Sequence, residues 1–170
     1  NGRTGFKNLT GLTRPLSRQR LGPEDLRFLG ELPVSRKLTV EKTKFFLVHA
    51  SPRDPLDEYA PADVEFWERR LANVDAEVIC VGHTHQPYVL EAGNKLVINP
   101  GSVGQPRHGD PRASYANLGN FKVELKRVEY PVEDTVRVVE DSSLPEATKA
   151  RLIELFRNGK PRGGNGGAEK

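Results

Sequence analysis

The sequence predicts a mixed α/β fold, with sheets inside and helices outside. Two short apolar runs, residues 44–48 and 78–81, have the unbroken hydrophobicity of strands that are buried on both faces. Helical stretches alternate with these strands in the first half, whereas the second half has the alternation and the glycine-containing turns of antiparallel hairpins. The 170 residues suffice for one domain with a sizeable core.

The first forty residues predict two helices and a weak strand. Residues 1–20 are polar, basic and interrupted by glycine, which favours a loop leading into a short amphipathic helix around residues 12–21. A second helix is predicted to start at Pro23, because proline followed by acidic residues suits a helix N-terminus. Its leucines form one apolar face, and Pro33 ends it. A weak strand follows over residues 34–40.

The rest of the chain predicts two hairpins between further helices. In order, the predicted elements are a helix over residues 61–73, a hairpin of residues 87–91 and 95–99, a second hairpin of residues 113–118 and 121–130, and helices over residues 131–140 and 145–157. Trp67, in the first of these helices, is predicted to lie in the core. Residues 158–170 are basic and rich in glycine, so they predict a disordered tail.

The chain carries a net charge of +3, and its isoelectric point is about 9.1. The whole excess lies in residues 157–170, because basic and acidic residues balance in the rest. A charge excess confined to a tail does not form the basic face that a nucleic-acid interface needs. Specific nucleic-acid binding is therefore not expected.

The composition also predicts a cytoplasmic location. No apolar run approaches the roughly 18–20 residues of a membrane span, and no signal-peptide pattern opens the chain. The single cysteine, Cys80, lies inside an apolar strand and excludes an internal disulfide. A lone reduced thiol is typical of cytoplasmic proteins.

Histidines follow both apolar strands. His49 comes directly after the first, and the second ends in Gly82-His83-Thr84-His85. Open α/β sheets tend to bind their ligands at the carboxyl ends of strands, and neutral imidazole is a common ligand of transition metals. The pattern therefore indicates a metal site at these strand ends.

Four motifs occur in a fixed order along the chain. They are His-Ala-Ser-Pro-Arg-Asp-Pro at 49–55, Val-Gly-His-Thr-His at 81–85, Asn-Pro-Gly-Ser-Val-Gly-Gln-Pro-Arg at 99–107 and Asp-Pro-Arg-Ala-Ser-Tyr at 110–115. Together they resemble the small single-domain phosphodiesterases of the calcineurin-like metallophosphoesterase superfamily, over roughly residues 12–157. The resemblance implies a four-layer αββα sandwich and an enzyme that hydrolyses phosphodiester small molecules with a hydroxide held at a two-metal site.

The resemblance also assigns metal ligands. Carried over to this sequence, His49 and His83 would share one ion, and His85 would bind the other, with the two divalent ions about 3.5–4 Å apart. Histidine with carboxylate and amide ligands suits Mn²⁺, Ni²⁺, Fe²⁺ or Zn²⁺. Neither the metal nor the substrate follows from the motifs.

The upstream motifs of the family do not occur in residues 1–170. They supply a bridging aspartate, an asparagine ligand and the acid/base histidine, and this chain has no methionine and begins at Asn1. We therefore expect residues 1–157 to be the C-terminal portion of a single metallophosphoesterase domain, with its N-terminal strands and its acid/base histidine upstream of Asn1. The missing N-terminal segment is the expected partner, and the chain alone is expected to be inactive. Whether that segment is cleaved, on another chain or simply left out stays open.

A non-catalytic scaffold or binding module on the same fold is the alternative, as in the retromer subunit of this superfamily. The presence of His49, His83 and His85 argues against this alternative, because a site without catalytic function does not require all three ligands.

Further residues near the motifs have two interpretations each. Asn99 and Ser102 either orient the ligands or serve ordinary turn chemistry. Arg107 and Arg112 either hold a phosphate by bidentate hydrogen bonds or pair within their loop. His108 is either an accessory contact or a surface histidine without a role.

Overall fold

The computed structural model describes residues 2–119 and 122–160, with side chains from residue 9 onward. Within those ranges the helices are α1 (Gly2–Arg20), α2 (Pro23–Glu31), α3 (Val64–Leu71), α4 (Val132–Glu140) and α5 (Glu146–Asn158). The strands are β1 (Ser35–Val40), β2 (Thr43–Val48), β3 (Val78–Cys80), β4 (Tyr88–Ala92), β5 (Lys95–Asn99), β6 (Ala113–Gly119) and β7 (Lys122–Val128). None of the helices in these ranges is both long and apolar enough to cross a membrane.

Seven strands of the described chain form a mixed five-stranded sheet and a separate hairpin. The large sheet has the order β1-β2-β3-β5-β4, in which β2, β3 and β5 run parallel and the two outer strands pair antiparallel. Strands β6 and β7 form the antiparallel hairpin. The predicted mixed α/β class is confirmed, and both predicted hairpins are present.

Helix α3 covers one part of the large sheet. Its Trp67 and Leu71 are buried against apolar side chains of the central strands, Phe46, Ile79 and Val97 among them. The indole Nε1 of Trp67 donates to the carbonyl of Pro61 at 2.9 Å, which satisfies its one polar atom. Trp67 therefore lies in the core, as predicted.

A second apolar cluster joins three helices. Leu9 of α1 packs with Val136 of α4 and with Leu152 and Phe156 of α5, and Leu16 covers the same cluster. Leu9 and Leu16 are seven residues apart and therefore lie on one face of α1. This packing positions α1 beside the histidines that follow β2 and β3.

The predictions for α1 and α3 were wrong in their bounds. Helix α1 extends over residues that were predicted as loop, because its contacts with α4 and α5 outweigh the low helix propensity of its glycines. Helix α3 begins at Val64 rather than at residue 61, since the carboxylate of Asp63 accepts from the backbone N–H of Phe66 and caps the helix.

The structure differs from the sequence-based predictions at two further places, the apolar face of α2 and the start of the C-terminal tail. The predicted apolar face of α2 is exposed: Leu26 and Leu29 keep 41% and 48% of their surface accessible. Helix α5 continues to Asn158, and Gly159 ends it in a left-handed conformation while accepting a hydrogen bond from the N–H of Gly109 at 2.9 Å. Asn158 and Gly159, which the sequence assigned to the tail, thus belong to the folded chain. Residues 161–170 of the predicted tail lie outside the described residues.

Candidate metal centre

Two parallel strands deliver the histidines to one edge of the large sheet. Strand β2 ends just before His49, and its parallel neighbour β3 leads into Gly82-His83-Thr84-His85. The N–H of Gly82 donates to the carbonyl of His49 at 2.9 Å, so pairing continues past the strand ends. The carboxyl ends of parallel neighbours thereby bring residues 34 positions apart into contact.

His49 and His83 face each other directly. Nε2 of His49 lies 3.0 Å from Nδ1 of His83, and the rings are inclined at 76°. Two imidazole nitrogens that bind one ion at about 2.1 Å are about 3.0–3.4 Å apart at the usual ligand angles. The observed separation therefore fits two ligands of a single ion.

The turn that carries the other two histidines has an unusual backbone. His83 and His85 both have positive φ, 60° and 58°, a conformation that costs free energy for residues other than glycine. Nδ1 of His85 donates to the carbonyl of Gln105 at 2.8 Å. That bond places the proton on Nδ1 and leaves Nε2 with a free lone pair, as a metal-binding histidine requires.

All three histidines line one cavity of about 980 Å³. Residues of α1 also line this cavity, as do Asp57 and Tyr59 of the loop after His49 and Arg107 of the loop after β5. Within the part of the chain that the structure describes, no group of three or more histidine, cysteine or acidic side chains converges closely enough to hold an ion by itself. The chain thus offers nitrogen ligands, and two of them meet.

Burial and positive charge favour neutral histidines in the cavity. Burial lowers the pKa of His83, and neighbouring His49 lowers it further. Burial also lowers the pKa of His85, with a smaller contribution from Arg107, although the hydrogen bond to Gln105 opposes this. Burial lowers the pKa of Arg107 as well. Neutral imidazoles are the form that binds a metal.

Asn99 holds the turn together. It is fully buried, its Nδ2 donates to the carbonyl of Gly82 at 2.9 Å and to Oγ1 of Thr84 at 3.0 Å, and its Oδ1 accepts from the N–H of Gly101 at 3.0 Å. Ser102 acts on the neighbouring loop, where its Oγ accepts from the N–H of Gln105 at 2.9 Å. Both side chains thus support the backbone that carries or contacts His83 and His85.

The two arginines considered for phosphate binding lie in different places. Arg107 lines the histidine cavity. Arg112 pairs with Asp110 through its Nε at 3.0 Å and its Nη2 at 2.7 Å, and both line a separate surface pocket. Pairing within the loop, the second interpretation from sequence, therefore describes Arg112. His108 is half-buried and does not line the histidine cavity.

The sequence did not indicate two parts of this site. Thr13 and Arg14 of α1 line the cavity, but no motif in residues 1–20 indicated that this segment approaches the histidines. Glu58 is buried, binds Arg70 at 2.8 Å and also contacts Ser51 and Arg53, which ties down the loop that follows His49. A backbone acceptor such as the Gln105 carbonyl leaves no signal in a sequence.

The family model of the calcineurin-like phosphoesterase superfamily domain matches residues 21–119. The chain therefore belongs to the calcineurin-like phosphoesterase superfamily, whose members depend on divalent metals.

Individual relatives agree with this assignment. An uncharacterized protein of Methanocaldococcus jannaschii is 34% identical over 153 residues, which is 76% of this chain and 59% of that protein. A phosphodiesterase of Escherichia coli is 33% identical over 85 residues, or 50% of this chain and 39% of that enzyme. The crystal structure of a metallophosphoesterase from Sphaerobacter thermophilus superimposes with a TM-score of 0.69 and 31% identity, covering 83% of this chain and 64% of that one. The chain thus spans about three fifths of the first of these relatives.

Proposed function

We propose that this chain supplies the histidine ligands of a two-metal phosphodiesterase site. The observation that carries the proposal is the 3.0 Å approach of His49 Nε2 to His83 Nδ1, with His85 lining the same cavity. His49 and His83 would hold one divalent ion, and His85 would hold its neighbour. Mn²⁺, Ni²⁺, Fe²⁺ and Zn²⁺ all suit such ligands.

The residues of the chain have distinct tasks in this proposal. When bound, the ions would polarise the phosphate and activate water for attack on phosphorus. The lowered pKa values of His83 and His85 keep their rings neutral near pH 7. The Gln105 carbonyl fixes the tautomer of His85. Arg107, which lines the same cavity, would bind a nonbridging oxygen of the diester.

We further propose that the remaining ligands come from a segment outside this chain. Two-metal sites use a bridging carboxylate, and the described residues around the three histidines provide no complete ligand cluster. An additional segment would contribute carboxylate and amide ligands and the acid/base histidine. Residues 1–170 alone would then bind metal weakly and turn over no substrate. The expected cytoplasmic location stays a prediction.

A second candidate function is a non-catalytic scaffold. It is favoured because the described residues place nitrogen ligands at the site without an adjacent cluster of carboxylates, and such a site could serve binding alone. The strained, hydrogen-bonded turn around His83 and His85 favours the enzyme, because such strain persists where a function requires it.

Metal binding and hydrolysis together test the proposal. Calorimetric titration with Mn²⁺ should show about tenfold or greater loss of affinity in His49→Ala and His83→Ala, since each removes a ligand. His108→Gln, at a histidine outside the cavity, serves as the control and should bind as the unaltered chain does. The protein expressed from its whole open reading frame should hydrolyse bis(4-nitrophenyl) phosphate when Mn²⁺ is added. Metal binding without any diester hydrolysis would favour the scaffold instead.

A further inference from the structure

One wall of the histidine cavity is formed by helix α1. Leu9, Thr10, Thr13 and Arg14 line the cavity together with the three histidines. Positions 9 and 13, and positions 10 and 14, are each one turn apart, so these side chains share one side of the helix. Leu9 is also buried in the cluster with α4 and α5, which fixes how α1 is turned.

Arg14 is a cation of this wall that pairs with no carboxylate among the side chains that the structure describes. Arg107 contributes a second guanidinium to the cavity, and Asp57 contributes one carboxylate. The described charged side chains therefore leave the cavity net positive. Such a cavity attracts anions, and a guanidinium binds carboxylate or phosphate oxygens in a bidentate manner.

The number of positive groups exceeds what a simple phosphodiester needs. A diester carries one negative charge, and under the proposed function the metal ions and Arg107 already face it. Arg14 belongs to a different element and pairs with no described carboxylate, so it is available to a second anionic group on the substrate. The cavity of about 980 Å³ extends from the three histidines to Arg14, so one ligand can reach both.

We propose that Arg14 is a specificity-determining residue that binds a second anionic group on the alcohol part of the substrate. The substrate class is then a phosphodiester that carries an additional carboxylate or phosphate beyond the ester to be cleaved. This inference rests on the proposed function, because it places the scissile ester at the histidines. It adds to that function the chemistry by which one diester is preferred over another.

Two ligands that differ only in the second anion test the proposal. Phenyl phosphate and 4-carboxyphenyl phosphate are titrated calorimetrically into the protein from the whole open reading frame, with Mn²⁺ present. The unaltered protein should bind 4-carboxyphenyl phosphate about three- to tenfold more tightly, the effect of one exposed charge-assisted contact. Arg14→Ala should bring that ratio to about one, whereas Arg14→Lys should keep part of it.

A matched control lies one turn further along α1. Arg18 carries the same charge as Arg14 and lies on the same helix, but it does not line the cavity. Arg18→Ala should therefore retain the full preference for 4-carboxyphenyl phosphate. A third ligand, 1,4-phenylene bisphosphate, tells whether a phosphate is preferred to a carboxylate. Equal urea midpoints of the Arg14 and Arg18 variants exclude a difference in folding.

The outcomes separate this inference from the proposed function. An equal affinity for both ligands in the unaltered protein, or no binding of either, overturns the role of Arg14, and so does a preference that survives in Arg14→Ala. If the preference depends on Arg14 but no diester is hydrolysed, the Arg14 site stands and the enzyme proposal fails. If diesters are hydrolysed without any preference, the enzyme stands and the Arg14 site fails.

Discussion

Both the nitrogen and the oxygen of the Asn99 side-chain amide form hydrogen bonds inside the protein. These hydrogen bonds join the turn after β3 to the turn after β5. Its amide N–H groups bind Gly82 and Thr84, and its oxygen binds Gly101. Removing the side chain would leave these buried polar groups unpaired, which costs about 1–3 kcal/mol for each group that finds no water.

We therefore expect Asn99→Ala to lower the free energy of unfolding by about 2–3 kcal/mol and the Mn²⁺ affinity by about tenfold. Urea denaturation of the metal-free chain and calorimetric titration measure the two effects. Asn73→Ala, at an exposed asparagine after α3, is the control and should change neither. A stable Asn99→Ala variant with full affinity would show that the amide does not hold the turn.

His108 is a titratable group whose surroundings disfavour its charge. Both ring nitrogens are shielded from solvent and have no hydrogen-bond partner in residues 9–119 and 122–160. Burial lowers the pKa of His108, Arg127 lowers it further, and Asp110 opposes the shift. The folded chain thus binds this proton less readily than the unfolded chain, whose histidine pKa is about 6.5.

Stability should therefore rise with pH in the window just below about 6.5, where the unfolded chain carries more protons. We expect the metal-free chain to lose free energy of unfolding between pH 7 and pH 5, and His108→Leu to lose less over the same range. Urea denaturation at pH 7, 6 and 5 measures both slopes. Because His83 and His85 titrate in both proteins, the difference between the slopes belongs to His108. Parallel slopes would contradict the assignment.

At the level of the element, the loop after β2 depends on one buried carboxylate. The side chain of Glu58 is 7% exposed and binds Arg70, Arg53 and Ser51. The loop that carries Ser51 and Arg53 is closed by a hydrogen bond from the N–H of Ala50 to the carbonyl of Pro55 at 3.0 Å. The Arg70 hydrogen bonds hold the pKa of Glu58 below its usual value.

Glu58→Ala should lower the free energy of unfolding by about 3 kcal/mol, because Arg70 would stay largely buried without its partner. Glu65→Ala on α3 is the matched control: it removes a glutamate that pairs with Arg69 in an exposed position, and it should cost less than about 1 kcal/mol. Chemical denaturation compares the two. Equal losses would mean that the Glu58 cluster does not anchor the loop.

The elements also explain which parts of the structure the sequence could predict. Strands β2 and β3 were evident because unbroken apolar runs define buried strands, and their histidines were evident from the motif that follows. Helix α1 was predicted only from about residue 12, since Pro15 and its glycines disfavour a helix, and its packing against α4 and α5 involves residues distant in the sequence. A partner such as the Gln105 carbonyl for His85 depends on tertiary geometry that no local pattern contains.

For the molecule as a whole, the exposed apolar side chains of α2 are the least satisfied feature. Leu26 and Leu29 lie one turn apart on the same face of α2, and no residue of this helix is buried. Phe28 and Leu32 are exposed as well. Apolar surface of this extent on one element favours contact with another surface.

We expect residues 1–170 alone to self-associate at micromolar concentrations through α2, because association would remove these side chains from water. Sedimentation velocity over a hundredfold range of concentration measures the effect, and the double variant L26E/L29E should be more monomeric than the unaltered chain. The double variant V128E/V138E, which alters exposed apolar residues of β7 and α4, adds the same two charges elsewhere and should leave association in place. If both variants dissociate equally, net charge rather than the α2 surface governs association. If the unaltered chain is monomeric at every concentration, the exposed face of α2 is tolerated in water.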